Sequence, residues 1–578
     1  MKLYSSITSL LLVFACSGTG FAQDLDLEHI DEGFTKEQLL KLNGSASLSG
    51  IYYNGNNNQN ERLPFTYFAN GFLNARIANL IDVPLSFVLT NVGGSFQYPT
   101  LPSRLAIHPS YKWARAHIGN VAMTFSPYTL NGHLFDGAGV ELQPGKFTVS
   151  AMMGRLQRAQ EYDISNLASP AAYRRMGQAI KIGYTTEKYR IAYNIFRAKD
   201  DAQSIAMLPP DSLNIRPQSN IATSLEAGIK IAKGLDLQAE YANTGLTTLT
   251  TAEGSADKAS AGGFNPAALF IKTQTATEFH SAIRAGLNYA FRKSIIGLGY
   301  ERVDPGYRTL GAYFFNNDLE NFTLNFAQRL LKEKMTINTS LGLQRDNLGK
   351  DKAATSNRTV GMFNLAYFPS QRVNIVASYS NFLSYTNVHN RFQNINQVNP
   401  YQYIDTLNFM QVSQNAMLNT NITLVKTDQI NHNVNFTGTF LDSKDKNGDE
   451  VNKQSSSRFY NGAVTWNTQF APQKISAALG YNFNQNVTNI GNFTTQGPIA
   501  SVSWILLNDK LMTNLALSYN NTTGGTLEKT TVLNSRINAR YMLAKLQTVN
   551  FSILGQNRTA RSSNTSDWIL NLAYELSF

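Results

Sequence analysis

The end of the chain carries the clearest pattern. Trp568, Leu570, Leu572, Tyr574, Leu576 and Phe578 fall on one side of a two-residue alternation. Asp567, Asn571, Glu575 and Ser577 fall on the other, with Ile569 and Ala573 as apolar exceptions. A period of two is the signature of a strand with one apolar and one polar face. The pattern recurs upstream. Ile475, Ala477, Leu479, Tyr481 and Phe483 alternate with residues such as Ser476, Gly480 and Asn482. Val549, Phe551 and Ile553 alternate with Thr548, Asn550 and Ser552 until the apolar Leu554 breaks the rhythm. Val373, Ile375, Ala377 and Tyr379 alternate with Asn374, Ser378 and Ser380. The predicted strands run about 10–16 residues, longer than the usual 5–6 of soluble sheets. A tilted strand crossing a bilayer needs about 9–11.

The connections alternate in length. Short turns such as Gln143-Pro144-Gly145-Lys146, Arg292-Lys293, Asn508-Asp509-Lys510 and Ala544-Lys545 separate longer polar loops at 54–64, 161–174, 200–218, 246–277, 304–318, 385–404 and 444–455. Short turns at one rim and long loops at the other are the habit of transmembrane barrels, with the short turns periplasmic. The prediction is an all-β fold: a transmembrane antiparallel β-barrel of about 26 strands (roughly 24–28), closed by the C-terminal strand, with both termini periplasmic. Periodicity is weakest over 98–143, where several Gly and Pro intervene.

Composition fits that reading. Only 15% of the 578 residues are charged, 43% are hydrophobic, and there are 27 Tyr and 33 Phe. A barrel needs an apolar outside and an interior that is polar without being densely charged. The net charge of +11 is spread along the chain. No dense Lys/Arg run with interleaved aromatics appears, so no nucleic-acid partner is expected. The single cysteine, Cys16, lies in a leader-like segment, which leaves the remainder without an internal disulfide or a cysteine-based metal site. Residues 1–22 read as a signal peptide: Lys2, an apolar stretch at 7–14, and Gly20-Phe21-Ala22 before Gln23. Val13-Phe14-Ala15-Cys16 offers lipidation of Cys16 as an alternative. No later stretch approaches the roughly 18 apolar residues of a membrane helix. The expected organisation is a signal peptide at 1–22, a short periplasmic segment at 23–41 and the barrel at 42–578.

The leader, the strand–turn–strand–loop rhythm and the terminal Phe578 together resemble outer-membrane β-barrel proteins. The Asn- and Tyr-rich strands and a mature start at Gln23 look most like those of the Bacteroidota. The resemblance implies an integral outer-membrane protein with lipid as a partner. It also implies an assembly signal at Trp568, Tyr574 and Phe578 read by the barrel-assembly machinery. TonB-dependent transporters carry a globular plug before the barrel, and lipopolysaccharide-insertion barrels carry a periplasmic jelly roll. The short 23–41 segment matches neither.

Candidate chemistry is sparse. His133 near Asp136 could form an acid–base pair, or both could be ordinary polar residues. Asp442–Glu450 resembles a calcium loop, but aligning Gly448 with the turn glycine leaves Gln454 where the strongest carboxylate belongs. No catalytic residue, metal or cofactor is therefore expected. The loop 246–277 holds an apolar run including Phe264, Asn265, Pro266 and Phe270 that points to lumen insertion or partner docking. Phe125-Ser126-Pro127-Tyr128-Thr129-Leu130-Asn131-Gly132 and Asp304-Pro305-Gly306-Tyr307 stand out as elements without an evident role. A lumen this wide has to be narrowed by something. The leading functional expectation is a passive or loop-gated channel or transport protein. It would favour anions if Arg76, Arg284, Arg329 and Arg536 line the lumen. The alternative is a structural or assembly barrel that docks a periplasmic or surface partner in a secretion or envelope complex. A barrel-embedded hydrolase comes third.

Overall fold

A computed structural model describes residues 40–56, 63–91, 104–164, 171–210, 215–250, 264–313, 316–350, 357–381, 414–447, 450–524, 527–561 and 563–578. The signal-peptide expectation, and all of the N-terminal segment but its last two residues, lie outside them. Each strand pairs antiparallel with its neighbours in the chain, from Leu40–Gly55 to Asn564–Ser577. Of the 27 strands, Arg104–Ile107 and Ser110–Tyr111 share one position between Ile81–Thr90 and Ala114–Thr124, which leaves 26 positions. The last strand returns to the first, with Ser49 opposite Ala573 and Tyr52 opposite Leu570. Phe578 extends the seam: its N–H donates to Gly44 O at 3.0 Å, and its carbonyl accepts from Gly44 N at 2.7 Å. The sheet is a closed barrel with the expected number of strands.

Alternation assigns the faces. Leu48, Ile182, Leu298, Trp466, Leu479 and Trp568 are exposed on the outward face, while the alternate positions face the lumen. The two breaks in the pattern, Leu554 and Ile569, are register partners. They pack with Ile51 on the lumen side, against Tyr53 and Phe68. Tyr53 donates to Asp567 Oδ1 at 2.9 Å beside them.

One rim consists of tight turns such as 78–80, 233–234 and 292–293, and the other carries longer connections such as 158–173 and 304–318 beside two-residue links such as 489–490. Gly234 shows how tight the first rim is. Its φ is +80°, and a Cβ there would lie 2.3 Å from Ala290 O, so only glycine fits. On the lumen side of the wall formed by strands 104–247 sits an apolar core that includes Val121, Met123, Phe135, Phe196 and Ala222. Its members Val121, Met123 and Phe135 lie in the stretch whose sequence periodicity is blurred, because there the lumen face of the wall is apolar as well as the outward one.

The closure register is directly testable, since residues opposite one another in an antiparallel pair have Cα atoms about 4.5–5.5 Å apart. Ser49→Cys with Ala573→Cys is expected to oxidise to an intramolecular disulfide, visible as altered mobility on heated, non-reducing gels. Ser49→Cys with Ile569→Cys, four residues out of register, is expected to stay reduced.

Candidate functional site: a latched loop pair over a lumen recess

The connection between Ala114–Thr124 and Asn131–Leu142 is a compact hairpin. Phe125 N donates to Leu130 O at 2.8 Å, and Tyr128 N to Ser126 Oγ at 3.1 Å. Its apolar residues Phe125, Tyr128 and Leu130 cannot face water cheaply, so the hairpin folds into the lumen and all three are buried. The connection 304–318 follows Ser294–Val303 and also folds inward. It starts with a turn in which Gly306 has φ +77° and Tyr307 N donates to Asp304 O at 3.2 Å.

The two loops meet. Tyr307, fully buried, donates its hydroxyl to Tyr128 O at 2.8 Å, and the two rings pack edge to face at 6.2 Å. Thr309 Oγ1 donates to Thr129 O at 2.8 Å, Asn131 N to Gly311 O at 2.9 Å, and Leu134 N to Tyr313 Oη at 2.8 Å. Two segments that sequence marked out separately thus form one body, some 180 residues apart in the chain.

The wall holds this body through polar side chains. Tyr128 Oη donates to Glu301 Oε1 at 2.6 Å, and Ser126 Oγ donates to Glu240. Lys181 Nζ donates to Phe125 O at 2.7 Å and pairs with Glu226 at 2.8 Å. Asn220 Oδ1 accepts from Leu310 N at 3.0 Å, and Thr244 Oγ1 donates to Arg308 O at 2.9 Å. Burial, with the Glu301 carboxylate next, raises the Tyr128 phenol far above the usual tyrosine range. Burial does the same to Tyr307. Both therefore remain protonated donors at any physiological pH.

Strand register stacks the wall into rows beneath the loops. In the row at the latch, Glu226 stands opposite Glu240, Glu240 opposite Arg284, Arg284 opposite Glu301, Glu301 opposite Asn321, and Asn321 opposite Gln344. Two residues nearer the short-turn rim, the same registers align Gly228, Gln238, Gly286, Gly299, Thr323 and Gly342. Four of those six positions have no side chain, so the wall is recessed there. A cavity of about 800 Å³ opens along it, bordered by Glu240, Arg284, Glu301, Asn321 and Tyr128. Glu226, Glu240, Glu301 and Asn321 carry no sequence motif. Only the register shows that they share a row.

Arg76, Arg284, Arg329 and Arg536 all fall on the lumen face of their strands. Arg76 is paired with Asp82 at 2.7 Å, Arg284 borders the recess, and Arg536 lies on the far wall near Asn538 and Leu554. The Phe264–Phe270 segment lies against the outward face. Asn265 Oδ1 accepts from Asn243 Nδ2 at 3.0 Å, Ala267 N donates to Asn243 Oδ1 at 3.1 Å, and Tyr241 Oη donates to Phe264 O at 2.5 Å. Asn243 and Tyr241 alternate with the lumen-facing Glu240 and Thr244, which fixes the side. Pro266 begins a single 3-10 turn, Pro266–Leu269, while Phe264 and Phe270 remain exposed. Trp568 and Tyr574 are exposed on the outward face of the closing strand, beside Phe578 at the seam.

His133 and Asp136 have separate partners: His133 Nδ1 contacts Leu134 O at 2.7 Å and its ring stacks on Tyr313, while Asp136 pairs with Arg155. Of the calcium-like loop, only the side chains of Asp442 and Ser443 are described, and Asp442 pairs with Arg458 at 3.4 Å.

The two raised phenols make loop docking sensitive to alkali. A phenol whose folded pKa is raised contributes fully below about pH 10 and loses its contribution as pH rises from there toward the folded value. With both groups counted, docking is expected to weaken by about 2.7 kcal/mol per pH unit above 10 and to be flat below it. Limited proteolysis at loop 304–318 across pH 8–12 reads this out. Tyr307→Phe removes the hydroxyl's hydrogen bond to the Tyr128 carbonyl, worth about 0.5–1.5 kcal/mol. It is expected to raise cleavage at pH 8 while the barrel itself stays folded.

No protein-family model matches the chain, and no curated protein matches it. Among solved structures, the P pilus usher (PapC) translocation pore is 10% identical, covers 93% of this chain and 100% of its own, and has a TM-score of 0.36. A ferric enterobactin receptor (PfeA) mutant from Pseudomonas aeruginosa is 9% identical over 93% of this chain and 80% of its own, with a TM-score of 0.41. OccAB4 of Acinetobacter baumannii is 12% identical over 68% of this chain and 97% of its own, with a TM-score of 0.29.

Proposed function

We propose that this chain is an integral outer-membrane barrel that acts as a loop-gated channel, with hairpin 125–130 and loop 304–318 as the gate. The outward apolar face supports the membrane placement. The rim asymmetry supports a periplasmic short-turn rim, and the gate loops fold into the lumen from the opposite rim. The terminal Phe578, with Trp568 and Tyr574, serves as the assembly signal, and residues 1–22 as the export leader.

The observation that carries the gate is its mode of attachment. The loop body is continuous with the wall only through its strand ends. Beyond apolar packing of Phe125, Leu130 and Leu310 with wall residues such as Phe135 and Phe196, it is tied to the wall by polar contacts that include Tyr128 to Glu301, Ser126 to Glu240, and Lys181 to Phe125 O. Each such bond is worth about 0.5–3 kcal/mol, a range suited to a closed state that opens.

A second reading, a barrel that docks a partner, rests on the Phe264–Phe270 segment. Phe264 and Leu269 are 75% and 77% exposed on the outside of the wall. Stable copurification of another protein, lost in Phe264→Ser with Leu269→Ser, distinguishes it from the channel.

Single-channel recording in planar bilayers tests the gate. Tyr128→Phe together with Glu240→Gln removes about 1.5 kcal/mol or more of latch energy, so the open population is expected to rise about tenfold. Deleting residues 23–39 is the companion variant. Silence from the intact protein and from both variants rules out the channel. Current that appears only after the deletion assigns the block to the N-terminal segment instead of the loop pair.

A further inference from the structure

We infer that the lumen recess beneath the loop pair is a binding subsite for a neutral, polyhydroxylated solute of oligosaccharide type. The inference rests on the channel reading for its place on a permeation path. The site itself stands on its own geometry.

Its shape comes from glycine. Gly228, Gly286, Gly299 and Gly342 face the lumen in one transverse row, so backbone lies where other rows present side chains. The resulting cavity of about 800 Å³ lies within the range of ligand sites. Three of these positions are crowded. A Cβ would come within 2.8 Å of Arg190 at Gly228, 2.4 Å of Thr323 at Gly299 and 2.5 Å of Phe322 O at Gly342. At Gly286, by contrast, the nearest atom to an added Cβ is 3.9 Å away. That space is open to the lumen.

Its chemistry comes from charge balance and amides. Two cations, Arg190 and Arg284, and three carboxylates, Glu226, Glu240 and Glu301, border the recess, and Lys181, paired with Glu226 from outside the lining, supplies the third cation. Lys181 is bound to Glu226, Arg190 donates to Gln238 at 2.9 Å, and Arg284 stands in register between Glu240 and Glu301. With equal numbers of both signs, the recess has no net charge to draw an ion out of water. What remains is hydrogen-bonding capacity of both kinds: the amides of Gln238, Asn288, Asn321 and Asn325, and the Arg284 guanidinium.

Asn321 is the sharpest observation. It is 8% exposed and borders the recess. Its Oδ1 has no hydrogen-bond partner among the described residues, and its Nδ2 donates only weakly, at 3.4 Å, to Glu301. A buried amide oxygen is costly to leave unsatisfied. A hydroxyl satisfies it while its own oxygen accepts from Arg284. A sugar offers several such hydroxyls on a rigid frame, and about two or three hexose units fit the volume.

The test uses the purified full chain in detergent, with raffinose as probe. Polyethylene glycol of matching size controls for volume, citrate for anions and spermidine for cations. Calorimetry measures binding, and bilayer recording measures interruption of current. Raffinose is expected to bind and to interrupt current more than the glycol does. Gly286→Leu, which fills the recess, and Asn321→Leu, which removes the acceptor, are each expected to weaken it about tenfold or more. Ser503→Leu on the opposite wall is expected to leave it unchanged. Heat-modifiable mobility shows that each variant is folded. Raffinose binding no tighter than the glycol, preference for citrate or spermidine, or unchanged binding in folded Gly286→Leu each overturns the inference. Raffinose binding without any current sinks the channel and leaves the site standing. Current without raffinose binding does the reverse.

Discussion

Closure of the backbone ladder between Leu40–Gly55 and Asn564–Ser577 is the constraint on which the rest depends. An open sheet of this width has two edges of unpaired N–H and C=O groups, and in hydrocarbon each would be costly. The closed sheet has none. Closure also removes freedom of register, because a slip of one residue would turn every outward Leu and Trp into the lumen. With the registers locked, residues distant in sequence are forced into transverse rows. Glu226 and Gln344 belong to one register row of the wall, linked only by a chain of paired strands. The recess follows from that geometry as much as from any side chain.

Much of the frame was legible in the sequence, and the reason is physical. Period-two alternation survives wherever one face meets an apolar medium and the other a polar lumen. Strands such as Ile475–Thr488 and Asn564–Ser577 satisfy that condition, and turn length counts the positions. The reading blurred over 98–143 because the condition fails there. Val121, Met123 and Phe135 face the lumen but lie beneath the hairpin, so both faces of that wall are apolar. The exceptions at Leu554 and Ile569 have the same cause on a smaller scale, since they cover one another across a strand pair.

The site was legible only in fragments. Residues 125–132 and 304–307 stood out as elements without an evident role, and nothing in one segment names the other. Their meeting depends on Tyr307 reaching the Tyr128 carbonyl across the lumen. The glycine row was wholly hidden. Gly228, Gly286, Gly299 and Gly342 are unremarkable in their own strands and form a feature only when four registers are known together. The apolar run at Phe264–Phe270 gave composition without direction. Asn243 decides the side, because it points outward and offers both ends of its amide to the segment.

Charge shows how far composition can mislead about a lumen. A chain with a net charge of +11 suggests an anion path, and the four arginines singled out from sequence do fall on the lumen face. Their surroundings cancel the expectation where it matters most. Arg76 faces Asp82, and Arg284 has a carboxylate in register on either side. Fields in a low-dielectric enclosure are set by the nearest groups, since opposed charges a few ångströms apart leave little potential beyond themselves. The latch carboxylates also hold the loop body: Glu240 and Glu301 accept hydrogen bonds from the hydroxyls of Ser126 and Tyr128. A solute drawn to those carboxylates as a cation would compete with the loop body's own donors. A solute that makes neutral hydrogen bonds to the row beside them would not.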